Sequence, residues 1–489
     1  MKAAPGPSVG HSIVVLCVAA LLLHLAAAAL LQGAWCIDDA YISFRYARNL
    51  ARGAGLVWNP GELVDGYTNF AWVIFLTPFE ALGLDTPLLA RLINGGCAIA
   101  IVLIVVRVAL QRVGPGAAAV AGLLLALDGA LGRWGQDGLE TTPFTLVLLV
   151  SCLAALRAWE DERPHHHVPL LFGLLTLLRP DGGLFFAVTL LFGVATGRQR
   201  LRQALQWCGL FLIVVLPWAA WRWLYYGYPL PNTFYAKVGL RSALVERGLR
   251  YVGTAALHRV PALLLIAVAI WRHPGREGLR YFLCLCAAHL AFVITVGGDW
   301  MGYSRFILPI LPLLYLLAAT PDFALVTGAR RYGAIAVVGV ALFFNFMLSS
   351  TWSELRSLAR ESEYLSSRGA VAEWLDRTAD PNDSILLGEI GQIGYVTDRV
   401  VYDIFGLVDA HIAHLDAPKL GRGKAGHEKS DLRYSMGLRP DWLVLPPKGL
   451  VAPGYEEVRI PAEVPVALPA YRRLLRRRTE APAVDSSRD

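Results

Sequence analysis

The stretch IDDAYISFRYARNLARGAGLVWNPGELVDGYTNF, residues 37–70, directly follows the apolar run SIVVLCVAALLLHLAAAALLQGA at 12–34. A run of that length crosses the hydrocarbon core of a bilayer, so the chain leaves the membrane into two adjacent carboxylates, Asp38 and Asp39. Composition agrees: of 489 residues 55% are hydrophobic and 17% charged, and mean hydropathy is +0.48. This is too apolar for a water-soluble chain and reads as an integral membrane protein. With Lys2 and an alanine-rich end the first run has the look of a signal peptide. It is about twice the usual apolar length of one and reads as a retained span.

Further apolar runs lie at 88–106, 117–131, 144–156, 168–178, 184–195, 207–224, 257–270, 281–296, 306–319 and 333–349. With the first they predict about eleven spans, a complete crossing taking roughly 17 to 25 residues. The short pair at 168–178 and 184–195 is separated only by RPDGG. It reads as two tilted spans or one broken element whose backbone lines a cavity.

Orientation follows from the arginines of the short loops. With a cytoplasmic N-terminus, the inner loops hold Arg107 and Arg112, Arg157 and Arg163, then Arg198, Arg200 and Arg202. Next come Arg272, Arg276 and Arg280, then Arg330 and Arg331, as the positive-inside rule asks. The outer side then receives Asp38 and Asp39, GQDGLETT, RPDG, YPLPNTFYAK and GGDWMGYSR, with everything after residue 350.

Residues 1–350 form the membrane region, with a first outer loop at 36–70, and 351–489 a water-soluble domain of about 140 residues. WSELRSLARESEYLSSRGAVAEWLDRTA has helical spacing, and SILLGEIG, RVVYDIFG and DWLVLPP read as short buried strands, giving a small α/β domain on the outer face. RRLLRRRTEAPAVDSSRD reads as a solvated or headgroup-facing basic tail, with no nucleic-acid partner expected outside the cytoplasm. The seven cysteines sit in or beside spans without metal spacing and read as small core residues. The run His165–His167 reads as a solvated inner loop. No metal or other cofactor is expected; if a divalent cation binds, Asp38 and Asp39 are its site.

Ionisable residues at a membrane boundary usually face a cavity or a substrate path. One of the two acids can cap the following helix. The other can take a proton from an attacking hydroxyl. Arg45, Arg48 and Arg52 share a helix face and could hold phosphate, although lipid headgroups are the simpler reading for Arg48 and Arg52. Turns at NPGE and DGYTN bring Tyr67 and Asn69 toward the same outer space.

Six stretches in order carry a resemblance: DDAYISFRYARNLARGAGLVWNPGELVDGYTNFAW, GLETTPF, LLRPDGGLF, YYGYPLPNTFYAK, GGDWMGYSRFILPILP and GQIGYVTDRVVYDIFGLVD. Together, from residue 37 to about residue 409, they resemble the GT-C superfamily of polyprenyl-phosphate-sugar-dependent glycosyltransferases. Within it they are most similar to the terminal arabinofuranosyltransferases of actinobacterial cell walls. The resemblance implies a polytopic α-helical GT-C fold and an inverting enzyme in the bacterial inner membrane. Its donor would be a polyprenyl-phosphate sugar, arabinofuranose first and mannose or another sugar second. Its acceptor would be an envelope glycan, glycolipid or glycoprotein on the outer face.

The resemblance also implies that an acid of the first outer loop is the base, mapping onto Asp38 with Asp39 beside it. Candidates for the donor phosphate are Lys237, Arg305, Arg179 and Arg45; a lysine or arginine near a span end can equally snorkel to the interface. Tyr67, Asn69, Glu140, Asn232, Asp299 and Glu389 are candidates for sugar or acceptor contact. One departure stands against the match: the C-terminal region is shorter than in the actinobacterial enzymes, so the acceptor is not carried over. The competing reading is a transporter or non-catalytic assembly factor for lipid-linked saccharides. Transporters tend to show paired repeats with interrupted helices in both halves, and only one broken region is visible.

Overall fold

The computed structural model describes residues 7–161, 165–239, 241–320, 339–340, 342–348, 352–418, 420–446, 450 and 452–478. Arg163, Arg330 and Arg331, residues 333–338, 341 and 349 of the span expected at 333–349, and the tail beyond residue 478 lie outside the described residues.

The first half runs α1 (Pro7–Gln32), α2 (Asp38–Ala51), α3 (Phe70–Ala81), α4 (Thr86–Arg112), α5 (Pro115–Ala126), α6 (Gly129–Trp134) and α7 (Thr141–Glu160). It continues with α8 (His167–Leu178), α9 (Gly182–Ala195), α10 (Leu201–Tyr226), α11 (Asn232–Lys237), α12 (Ser242–Leu257), α13 (Val260–Arg272), α14 (Glu277–Thr295) and, after a 3-10 turn at Arg305–Ile310, α15 (Leu311–Ala318). Among the described residues, five helices, α1, α4, α7, α10 and α14, are long and apolar enough to cross a membrane, or six with the bent pair α12–α13, whose axes meet at 85°. α3, α5, α8, α9 and Arg305–Ala318 are shorter apolar helices. α3, 12 residues with Pro78 inside, is an apolar helix not among the spans expected above.

Local chemistry sets several boundaries. The Asp85 carboxylate accepts from Leu88 N–H and caps α4, which opens with a proline at N1/N2; such a cap satisfies a donor the helix leaves free. α8 and α9 are separate helices because Arg179 is extended, at φ −156° and ψ 135°. The chain then turns so tightly that a Cβ on Gly182 would lie 2.6 Å from Leu175 C and Thr176 N.

Among the buried ion pairs, Asp128 and Arg259 form one inside the helical bundle. Asp128 is fully buried and Arg259 is 4% exposed, and they are joined by two hydrogen bonds of 2.9 Å. Tyr315 O–H donates to the same carboxylate, which also caps α6 through Ala130 N–H at 2.8 Å. Removing one partner of such a pair strands a charge in low dielectric. Arg259→Met is expected to destabilise the protein by about 3–5 kcal/mol, and pairing it with Asp128→Leu should recover much of the loss. Thermal unfolding of the detergent-solubilised variants checks both.

After the bundle comes a helix at Trp352–Thr378, then β1 (Ser384–Leu387), a short helix at Gly391–Thr397, β2 (Val400–Asp403), β3 (Trp442–Val444), β4 (Tyr455–Arg459) and β5 (Arg473–Arg477). The sheet order is β2-β1-β3-β5-β4, with β1 parallel to β2 and β3 and β5 antiparallel to β3 and β4. The three strands read from sequence are the parallel ones. The expected basic tail is corrected in part: Arg473–Arg477 is an interior strand, with Leu474 0% and Leu475 7% exposed. Its arginines mask a two-residue apolar core signal.

α2 is the joint between the two regions. Ile37, not an aspartate, is its N-cap, with no side-chain capping bond. Arg45 and Arg48 turn toward the helix Gly391–Thr397, Arg48 pairing with Glu80 at 3.0 Å and donating to Tyr395 O at 2.7 Å. Arg52 pairs with Asp398. The headgroup reading for Arg48 and Arg52 is therefore replaced by contacts within the chain.

Candidate active site

A cavity of about 900 Å³ opens between the first turn of α2, the turn at 66–69, the start of α9, α11, the C-terminal half of α14 and the segment 298–306. Leu407 and Ala425 of the C-terminal region close one side. Its charged lining comprises the acids Asp39, Glu140, Asp181 and Asp299 and the cations Arg179, Lys237, Arg247 and Arg305.

Most of these charges are already paired. Glu140, 6% exposed, meets Arg179 Nη1 at 3.3 Å and accepts from Asn69 Nδ2 at 2.8 Å. Asn69 in turn donates to Ser43 Oγ at 3.0 Å, which ties the turn at 66–69 to α2. Arg179 Nε donates to Asp181 Oδ1 at 3.0 Å. Arg305 Nε donates to Asp299 Oδ2 at 2.6 Å, and its guanidinium lies 5.7 Å from Trp134 and 5.2 Å from Phe306. The left-handed residues Tyr303 and Ser304, φ 54° and 49°, let the chain double back so that Arg305 reaches Asp299.

Arg247 donates to Gly297 O at 2.9 Å and to Glu428 Oε2 at 3.0 Å. Two lining charges remain: among the described residues, Asp39 and Lys237 have no hydrogen-bonded or ion-paired partner. Tyr67 also faces the cavity, its hydroxyl accepting from Tyr226 at 3.3 Å.

Four of the residues singled out from sequence do not line this space. Asp38 points the other way: Gly391 N–H and Gln392 N–H each donate to it at 3.0 Å, and Arg368 lies 3.3 Å away. Burial raises the Asp38 carboxyl above its ordinary range, opposed by Arg368 and the Gln392 N–H. Burial pulls the Arg368 guanidinium down, and Asp38 and Glu389 more than offset this. Glu389 belongs to the same network, 2.6 Å from Arg368 and 3.6 Å from Lys424.

Arg45 is 1% exposed and donates to Trp58 O, Gly394 O, Asn59 Oδ1 and Arg399 O at 2.9, 2.7, 3.3 and 2.6 Å. Burial brings it down to about 10, and its donors are spent on the chain, which removes it from the phosphate candidates. Asn232 donates to Gly406 O, Leu407 O and Asp409 O at 2.8, 3.0 and 3.2 Å. It fastens the segment that walls the cavity.

Sequence reasoning missed Asp181 and Arg247. Asp181 stands two positions after Arg179 inside a motif already singled out, so the signal was present. Arg247 had none, because its partner Glu428 is 181 positions away. Among the described residues, no group of three or more His, Cys, Asp or Glu side chains is placed to hold a metal ion.

Residues 70–221 match a family model described as dolichyl-phosphate-mannose-protein mannosyltransferase, and residues 353–480 match one described as a domain of unknown function. Over 357 residues the chain is 28% identical to a terminal β-(1→2)-arabinofuranosyltransferase of Corynebacterium glutamicum, covering 62% of this chain and 50% of that protein. The chain thus spans about half the length of that curated relative.

Two crystal structures of ArnT from Cupriavidus metallidurans share the fold at 14% identity. The apo state gives a TM-score of 0.62 over 94% of this chain and 97% of that one. The form bound to undecaprenyl phosphate gives 0.56 over 80% and 85%. The resemblance to GT-C glycosyltransferases, and to terminal arabinofuranosyltransferases among them, is borne out by these matches. The chain is a multi-pass membrane protein.

Proposed function

We propose that the cavity is the reaction chamber of an inverting glycosyltransferase that moves a sugar, arabinofuranose first, from a polyprenyl phosphate to an envelope glycan or glycoconjugate. The observation that carries this reading is the unpaired couple Asp39 and Lys237 among a lining otherwise paired. The Asp39 carboxylate takes the proton of the acceptor hydroxyl. The acceptor oxygen bonds to the anomeric carbon from the face opposite the phosphate. The anomeric C–O bond to phosphate breaks, and its electron pair leaves on polyprenyl phosphate. Such general-base work needs a free carboxylate within reach of the hydroxyl, and Asp38 is fully engaged elsewhere.

Lys237 receives the phosphate and Arg305 lends a fixed positive charge nearby; cations aimed at the leaving group stabilise the charge that develops there. The scheme uses side chains alone. The ArnT structure with undecaprenyl phosphate and the arabinofuranosyltransferase relative support the donor class. The chamber lies at the starts of α7 and α9 and the end of α14. Arg112, Arg198 and Arg276 line a second cavity at the opposite ends of these helices, and by the positive-inside rule this supports a chamber and C-terminal domain outside the cytoplasm.

The test is transfer by purified protein from a panel of radiolabelled polyprenyl-phosphate sugars to a crude envelope glycan. Label moving from one donor supports the reading. Donor translocation without transfer overturns it. Within the same assay, Lys237→Ala is expected to raise the donor KM roughly 10- to 100-fold, the worth of one hydrogen bond to a charged group. Lys237→Arg should recover most of it. An unchanged KM in Lys237→Ala would remove the phosphate from this wall.

A further inference from the structure

Asp181 lines the cavity and is 8% exposed, yet only half of its carboxylate is used. Oδ1 accepts from Arg179 Nε at 3.0 Å. Among the described residues, the buried Oδ2 has no partner. Asp181 is also the N-cap residue of α9, a helix of 14 residues, but its side chain makes no capping bond. Local secondary structure therefore does not consume the second oxygen.

A buried carboxylate oxygen without a donor is costly, and such groups in native proteins point to something missing. A second orphan stands on α14. The His289 ring stacks on Phe185, one turn along α9 from Asp181, with ring centroids 5.2 Å apart. Its Nε2 is 2.6 Å from Phe306 O, so that nitrogen carries the proton and donates. Nδ1 is left without a partner among the described residues. The Asp181 oxygen on the cavity wall, with no protein donor among the described residues, calls for an O–H.

Resting on the function proposed above, we infer that Asp181 Oδ2 accepts a hydroxyl of the transferred sugar and so sets which sugar the chamber takes. The same carboxylate holds Arg179, which also binds Glu140. Sugar recognition and the charge network of the wall thus share one side chain. A sugar lacking that hydroxyl leaves Oδ2 unpaired, and a site built to bind a hydroxyl rejects the analogue lacking it.

The probe is polyprenyl-phosphate arabinofuranose with its 2-, 3- and 5-deoxy analogues, bound at equilibrium to wild type and to Asp181→Asn, which keeps an oxygen for Arg179. In the wild type, removal of one hydroxyl should weaken binding roughly 10- to 100-fold. In Asp181→Asn that penalty should shrink to within about threefold, with the other two positions unchanged. A variant that loses affinity for all four donors equally has lost only the placement of Arg179, and the inference falls. It falls likewise if the deoxy penalties are the same in both proteins, as a water on Oδ2 would make them, or if the wild type binds none of the four. Transfer is scored separately. A binding pattern that changes as expected in a protein that transfers nothing would sink the proposed reaction while leaving Asp181 as a sugar contact.

Discussion

Asp39→Asn is expected to lower transfer by about 10²- to 10⁴-fold, the usual worth of a positioned general base, with donor binding unchanged. The amide is the same size, and among the described residues no hydrogen bond or ion pair is lost. The fold has no reason to respond, so thermal unfolding should match the wild type. The neighbouring substitution should behave differently. Asp38→Asn keeps one acceptor but cancels the charge that faces Arg368 and two backbone N–H groups. Its signature is reduced stability, with any loss of activity following from that. Single-turnover transfer beside thermal unfolding separates the two variants. If Asp39→Asn transfers normally while Asp38→Asn is stable and inactive, the roles assigned to the pair are reversed.

Among the described glycines, Gly391→Ala should add the most damaging methyl group. A Cβ there would lie 1.9 Å from the Asp38 backbone oxygen and 3.1 Å from Asp38 Oδ2. Backbone cannot yield as a flexible side chain can, so the helix Gly391–Thr397 must lift off α2. Both N–H bonds to Asp38 go with it, roughly 3–6 kcal/mol for two hydrogen bonds to a charged group. That is much of the stability of an ordinary domain. The expected result is a C-terminal region that protease cleaves at concentrations the wild type resists, with transfer largely abolished because Leu407 and Ala425 no longer wall the cavity. Gly253→Ala is the control. Its Cβ would meet nothing within 4 Å, and alanine suits a helix better than glycine.

How much of this was legible in the sequence depended on whether a residue's partners were local. Arg179, Glu140, Asp299, Arg305 and Lys237 all stand near the ends of apolar runs inside polar motifs, and all five line the cavity. Membrane patterning brings such residues to one end of a bundle whatever the details of packing. Asp38 and Asp39 could not be told apart in that way. Neighbours on a helix point about 100° apart, and which of them faces inward was decided by N–H groups 353 and 354 positions away. Arg45 was misread for the same reason, since two of its acceptors are carbonyls 349 and 354 positions on. β5 was hidden by composition. Five of the seven residues in RRLLRRR are arginines, and only pairing with β3 and β4 turns the two leucines into core.

The solitary Asp39 and the solitary Lys237 give the resting chamber a built-in electric dipole, negative on the α2 wall and positive on the α11 wall. In the proposed reaction a proton neutralises the first pole while the departing phosphate gains charge beside the second. The total charge inside the walls is the same before and after; only its position changes, and it moves toward the cation waiting for it. Rearranging no other charged group, the step is spared much of the reorganisation that water would impose. Its reset is then a matter of traffic: the proton leaves Asp39, polyprenyl phosphate slides back into the bilayer, and the dipole is restored for the next donor.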